Sequence, residues 1–327
     1  MKAATFSVLG AAEDVLVVSS IEKPTPAHGE VLVRIYCSAV NPSDVKKRSG
    51  PSPGLLDEGF VIPHSDGSGI IESVGVGVPA SRVGERVWVY QAQYARRFGT
   101  ACEYVALPAN RVVSLPATSS FSDGACMGIP AMTAHRCIFS DGSVEGKTVL
   151  VTGGAGRVGH YAIQWAKHAG AQVIATASNP QAEDHCVAAG ADAVCPHGGD
   201  EFIQIISKMT SGRGVDRVVD GEFGANLPGL LDVVSTGAVI TTYSSMAVPE
   251  PILPFRRMMF MDLTLRLVLV YAMPESAKQH AIDDISAYLG RGMLQHRIAH
   301  RVPLDQVAES HQLIEAGGFY GAVVLDV

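Results

Sequence analysis

The stretch "VTGGAGRVGH", Val151 to His160, runs from an apolar strand through a glycine-rich turn into a helix. Within it Gly154, Gly156 and Gly159 match G-x-G-x-x-G, the turn that opens many dinucleotide-binding units. Each glycine has a job in that pattern: a tight turn, backbone approach to a pyrophosphate, and close packing of helix on strand. Amide N–H groups and the positive end of the helix dipole favour the phosphates. A second strand, Gln172 to Ala177, follows at the expected distance. The residues Gly153, Gly154, Ala155, Gly156, Arg157, Val158 and Gly159 are therefore read as a cofactor cradle, with Arg157 either near the phosphates or on the helix surface.

Proteins that prefer NAD place Asp or Glu at the end of the second strand, where it binds the ribose 2′-hydroxyl. Here that place reads "ATASNPQ", Ala175 to Gln181, without a carboxylate. A 2′-phosphate is tolerated there, which points to NADPH over NADH. Ser178 and Asn179 are candidate hydrogen-bond donors to it. His197 adds charge if its pKa is raised, and is otherwise a plain loop histidine.

Outward from the turn, strands and helices alternate. Helices are expected at Val158–His168, Gln181–Ala189 and Asp200–Thr210, and strands at Ala193–Cys195, "VDRVVDG" and "GAVITTYS". Such alternation implies a Rossmann-type, doubly wound parallel sheet of about six strands. The first 120 residues instead hold short β-branched runs ("DVLVVSSIE", "GEVLVRIYCSAV", "GSGIIESVG", "GERVWVY", "CEYVALP") and no long helical period. They read as a compact β-rich domain, and "SSFSDGACMGIPAMTAHRCIF" as the helix that follows it. After "LRLVLVY" come a helix (Ser276–Arg291), a strand, a helix (Val307–Ala316) and a last strand, "GAVVLDV". This tail is expected to return to the first domain. The expected division is 1–122, 123–268 and 269–327.

At 327 residues, 47% hydrophobic and 17% charged, the chain has material for two cores. A net charge of -7 disfavours nucleic-acid and anionic-membrane partners. An anionic ligand must therefore be held by local geometry. "LTLRLVLVYAM", Leu263 to Met273, is too short to span a membrane and contains Arg266. It reads as a buried or subunit-interface strand. The N-terminus lacks a secretory signal pattern, and six scattered cysteines form no C-x-x-C, which fits a cytoplasmic protein with reduced thiols.

Taken in order, "AVNPSDVKKRSG", "IPHSDGSGIIESVGVGV", "VGERVWV", "GIPAMTAH" and "VLVTGGAGRVG" resemble the medium-chain dehydrogenase/reductase superfamily, and most closely its zeta-crystallin-like quinone oxidoreductases. The resemblance implies a GroES-like β-rich domain, an inserted Rossmann-type domain and a nicotinamide lying between the two. It places Thr133 beside that ring, "TTYSS" with Tyr243 and Ser244 at the cofactor edge, and Val268 and Val270 as apolar packing around it. Relatives often carry a Tyr where Lys46 and Lys47 stand, and a basic residue before the last glycine that "EAGGFYGAVVL" lacks.

Zinc alcohol dehydrogenases of the superfamily have Cys where this chain has Asn41, and His-Glu where it has Ser65-Asp66. Asn is no zinc ligand, so no zinc is expected. His64 reads as packing or surface, and His296 with His300 as a pair in strand-like surroundings. Without a Lewis acid, reduction of an already electrophilic quinone or activated alkene by NADPH is the expected chemistry. Asn41 is the candidate for orienting the nicotinamide or the acceptor oxygen, or is an Asn-Pro turn residue. Asp44 organises its own loop, and Tyr36, Tyr90 and Tyr94 are possible proton donors. Alternatives are an enoyl-thioester or enone reductase and a low-turnover NADPH-binding protein. The apolar "FMDLTLRLVLVY" falls where relatives pair sheet edges, so a homodimer is expected.

Overall fold

The computed structural model describes residues 1–327. Seven short strands form before residue 115: β1 (Lys2–Thr5), β2 (Val17–Ser20), β3 (Glu30–Val40), β4 (Asp66–Val74), β5 (Arg86–Val89), β6 (Tyr104–Pro108) and β7 (Val112–Ser114). β1 and β2 pair as an antiparallel ribbon. β3 is the central strand of the larger sheet, and almost every side chain in its second half is buried. It pairs with β4 over Val31–Ala39 and with β6 over Glu30–Arg34. Phe6, Ile35, Ile62, Ile71 and Leu107 fill the core beneath.

The strand–helix alternation builds β8 (Thr148–Val151), β9 (Gln172–Thr176), β10 (Ala193–Cys195), β11 (Val215–Asp220), β12 (Val234–Thr242) and β13 (Thr264–Leu267). All pair in parallel, in the order β10-β9-β8-β11-β12-β13, which is the doubly wound arrangement. The order reverses beside β8, so ligands are expected at its carboxyl end. The strands are short and apolar because helices cover both faces of a parallel sheet. The helix Arg157–His168 buries Tyr161, Ile163 and Trp165.

The last strands, β14 (Ile298–Pro303) and β15 (Ala322–Asp326), join the first sheet. β15 pairs antiparallel with β3 from Cys37 to Val40. Two compact units result, Met1–Ile129 with Ile282–Val327, and Pro130–Ala281. These divisions fall later than 122/123 and 268/269. The helix Phe121–Ala125 packs on β3 and β4, and the helix Glu275–Gly290 carries the chain back.

The sequence reading needs several corrections. Pro42–Ser49 is a helix inside the β-rich half, and the short helix Ala12–Val15 takes up the start of "DVLVVSSIE". The helix after Ser120 is not continuous. It breaks at a π turn, Met127–Ala131, because Pro130 has no N–H to donate, and resumes at Met132–Phe139. β13 is an edge strand rather than a strand buried within the chain, and Leu267 is 73% exposed. No helix is long and apolar enough to cross a membrane. All six cysteines are free and buried.

Candidate cofactor and acceptor sites

At the end of β8 the chain turns through Gly153, whose φ of 59° is left-handed. The tight turn thus falls one residue before the G-x-G-x-x-G pattern rather than on Gly154. Gly154 is required by packing instead: a Cβ there would stand 2.8 Å from the Ala175 Cβ and from the Cys186 Sγ. At Gly159 a Cβ would meet the Gly153 carbonyl oxygen at 2.5 Å and the Gly154 Cα at 2.9 Å. The helix Arg157–His168 closes on the turn only without a side chain at that place. Its N-cap is Gly156, with no side-chain cap and no acidic residue in the first turn. The first-turn N–H groups and the dipole are therefore not neutralised by a carboxylate of their own helix, which suits a phosphate.

The turn is tied to β9 through Thr176, which sequence reading missed. The Gly153 N–H donates to Thr176 Oγ1 at 2.9 Å, and the Gly154 N–H to the Thr176 carbonyl at 3.0 Å. Thr176 Oγ1 also lies 2.7 Å from His197 Nδ1. Burial lowers the His197 pKa, so the raised pKa on which a charged role depended is not found. Ser178 and Asn179 are exposed just past the end of β9. Asn179 Oδ1 accepts from the Ala182 N–H at 3.0 Å and so caps the helix Pro180–Ala188.

Further along the carboxyl edge, Asp220 Oδ1 accepts from Thr152 Oγ1 at 2.6 Å and from Asn226 Nδ2 at 2.7 Å. Burial raises the Asp220 pKa. Tyr243, Ser244 and Val268 line a cavity of about 500 Å³ with Phe223, Leu265 and Leu267. Val270 is buried in a short helical turn and does not line it. Thr133 is buried in the helix Met132–Phe139, in the same unit as the glycine turn, whereas Asn41 belongs to the other unit.

In the first unit Asn41 caps the helix Pro42–Ser49, with Pro42 at the first helical position. Asp44 accepts from the Asn41 backbone N–H at 2.8 Å, so it does organise its own loop. The Asn41 amide is turned the other way. Its Nδ2 donates to Asp66 Oδ2 at 2.9 Å, and the Ile129 N–H donates to the same oxygen at 2.7 Å. The other oxygen lies against Gly128, where a Cβ would come within 2.0 Å of it. Asp66 is fully buried, and burial pushes its pKa up to about 8. The Asp44 charge adds to this, while the Ile129 N–H, the Asn41 amide and Lys47 oppose it. At neutral pH this carboxyl is mostly protonated.

His64 is buried packing, not surface. A chain of bonds runs from Thr100 Oγ1, donating to the Asp66 carbonyl at 2.7 Å, through Ser38 Oγ (2.8 Å) and His64 Nδ1 (2.9 Å) to His311 Nε2, which is 2.9 Å from His64 Nε2. Each hydroxyl has one proton, so Thr100 must accept from Ser38, and Ser38 from His64 Nδ1–H. Burial lowers both imidazole pKa values, His311 to about 3. With its Nδ1 given to Ser38 and its Nε2 to His311, the His64 ring does not serve Asn41 or Asp66. An amide and one carboxyl already bonded to each other do not fit a tetrahedral zinc set. His300, in β14, packs edge-on against Phe319 with ring centroids 4.8 Å apart.

The three tyrosines separate clearly. Tyr90 donates its hydroxyl to the Asn110 carbonyl at 2.7 Å, and Tyr36 stacks on Phe121 at 4.8 Å. Tyr94 lines a cavity of about 540 Å³ with Lys47 and Gln93.

Two family models match the chain: "Alcohol dehydrogenase GroES-like domain" over residues 27–117 and "Zinc-binding dehydrogenase" over residues 158–287. The quinone oxidoreductase of Homo sapiens is 30% identical over 329 residues, covering 99% of this chain and 97% of that protein. A mycobacterial quinone oxidoreductase structure superposes with a TM-score of 0.89 at 27% identity, over the whole of both chains. A mycobacterial structure solved with NADPH matches at a TM-score of 0.87 and 27% identity, again over both whole chains. With its cofactor turn, its parallel sheet and this full-length likeness, the chain belongs to the quinone oxidoreductase family of the medium-chain dehydrogenases/reductases and is an oxidoreductase.

Proposed function

We propose that the protein is a metal-free reductase that uses NADPH to reduce a quinone or a related electrophilic enone. The observation that carries this reading is the Asn41–Asp66 hydrogen bond, which stands where zinc relatives would hold their metal. With no Lewis acid to stabilise an alkoxide, an acceptor that is already electrophilic suits the site. Bound NADPH supplies a hydride. The cradle Gly153–Gly159 binds its pyrophosphate, and Ser178 and Asn179 Nδ2 donate to the 2′-phosphate. His197 contributes by steadying the turn through Thr176. Tyr243, Ser244 and Val268 shape the cofactor edge. Thr133 restricts the nicotinamide, and Asn41, fixed by Asp66, presents its amide to the acceptor oxygen. The exposed apolar edge of β13 is covered by a second copy of the chain.

The test mixes purified protein with NADPH or NADH and an ortho-quinone, with and without a chelator. Fast oxidation that favours NADPH and ignores the chelator is the expected result. Loss of activity with chelator, or tight NADPH binding without turnover on quinones or enones, overturns the reading.

A further inference from the structure

Two histidines of the second unit meet where its helices Met132–Phe139 and Glu275–Gly290 approach. His135, on the first of these helices, is buried, with its ring centroid 4.5 Å from that of Phe139 and 5.4 Å from that of Trp165. His280, on the second, is exposed. The two imidazole centroids lie 4.8 Å apart, with their planes at 90°. Asp284 follows His280 by four residues on the same unbroken helix, so both side chains leave one face of it. One ligand atom from each of His135, His280 and Asp284 lies within 4.8 Å of the other two.

Aromatic packing accounts for the back of His135, which rests on Phe139 and Trp165. At the front, the two imidazoles border a cavity of about 210 Å³ with a carboxylate in reach. Imidazoles that share one tetrahedral zinc have centroids about 5 Å apart, and its ligand atoms stand about 3.3 Å from one another. The ring spacing is thus already that of a shared ion. Rotation of His280 and Asp284, neither of them fully buried, closes the rest. Two imidazoles and one carboxylate suit zinc and its first-row neighbours, whereas calcium and magnesium take oxygen ligands.

The charges around the three groups decide whether a cation is tolerated. Arg136 borders the same cavity and opposes one. Lys278 is engaged by Glu275 at 2.7 Å, and Arg266 by Asp141 at 2.5 Å. Asp284 and the adjacent Asp283 bring two carboxylates against the one guanidinium, which leaves the local balance favourable to a cation. At such a set a metal ion competes with protons and with the bonds the groups make without it.

We propose that His135, His280 and Asp284 bind a first-row divalent metal ion of the zinc class, which clips the helix Glu275–Gly290 to the helix Met132–Phe139, with water completing its coordination. None of the three belongs to the glycine cradle or to the Asn41–Asp66 pair. The ion is assigned no part in hydride transfer, and its binding does not rest on the reductase reading.

The test strips the full chain with a chelator, removes the chelator, and titrates zinc against a chromophoric competitor for wild type, His280→Ala and Asp284→Asn. Wild type should bind one equivalent with roughly micromolar affinity or better, and each variant about tenfold more weakly or worse. Zinc should raise the Tm of wild type and leave that of His280→Ala where it was. Cobalt(II) in place of zinc should show d–d bands without the near-ultraviolet band of a thiolate ligand. No binding by wild type at micromolar zinc, equal affinity in all three chains, or a thiolate band overturns the site. NADPH turnover with an ortho-quinone should be the same in the stripped and the zinc-loaded protein. A zinc dependence of turnover that His280→Ala abolishes keeps the site and overturns the metal-free reading instead.

Discussion

The two units hold their candidate ligand sites by opposite means. In the second unit the cradle is backbone: left-handed Gly153, the helix capped by Gly156, and Gly159 packed on the turn. In the first unit the site is side chains drawn from distant positions, with the Asn41 amide on a buried Asp66 and Lys47 on Gln93. A backbone cradle is defeated by added volume and is indifferent to pH. A buried carboxyl beside an ammonium tolerates isosteric change but answers to protons.

The largest expected effect lies on the backbone side. Gly159→Val places a side chain where even a Cβ is 2.5 Å from the Gly153 carbonyl oxygen. A loss of about 3 kcal/mol of stability is expected, with NADPH affinity falling by roughly tenfold or more. Denaturant titration and cofactor fluorescence measure the two losses, and normal NADPH binding would break the contrast.

A smaller effect sharpens the other side. The Asp66 pKa is raised from 3.8 to about 8 by folding, so the folded chain holds this proton more tightly. Its contribution to stability is complete below pH 3.8 and is lost as pH rises toward 8. Between about pH 6 and 8 the slope is up to roughly 1.4 kcal/mol per pH unit. Asp66→Asn removes that slope and keeps the shape. Urea midpoints taken across this range should therefore converge less in wild type than in the variant. A wild-type stability that does not vary with pH would mean that Asp66 is ionised when buried.

The smallest effect concerns a residue shared by structure and ligand reading. Asn179→Ala removes the cap on the helix Pro180–Ala188 and should cost about 1 kcal/mol. Asn179→Asp keeps the cap but sets a carboxylate near the proposed 2′-phosphate. A lower NADPH-to-NADH preference in Asn179→Asp alone would separate the two roles.

What the sequence disclosed differs between the units for the same reason. The glycine turn and its strand–helix alternation are local patterns, and the parallel sheet of six strands follows from them. The helix Pro42–Ser49 was missed because Val45 is its only large apolar side chain, although Asn41, Pro42 and Asp44 are proper start signals. Asp66 was read only as an absent metal ligand, since nothing periodic connects it with Asn41 across 25 positions. The direction of the His197 shift stayed open because burial beside Thr176 is a tertiary fact.

The topology also sets an order of assembly on the ribosome. The unit Pro130–Ala281 is one continuous segment and has all its strands once that segment emerges. The other unit must wait, because β15 is the partner of β3 at Cys37–Val40, immediately before Asn41. Until Ala322–Asp326 is synthesised, that edge of β3 is an unpaired strand open to the wrong neighbour. Nascent chains of this protein therefore carry a completed second unit while the sheet of the first still lacks its β15.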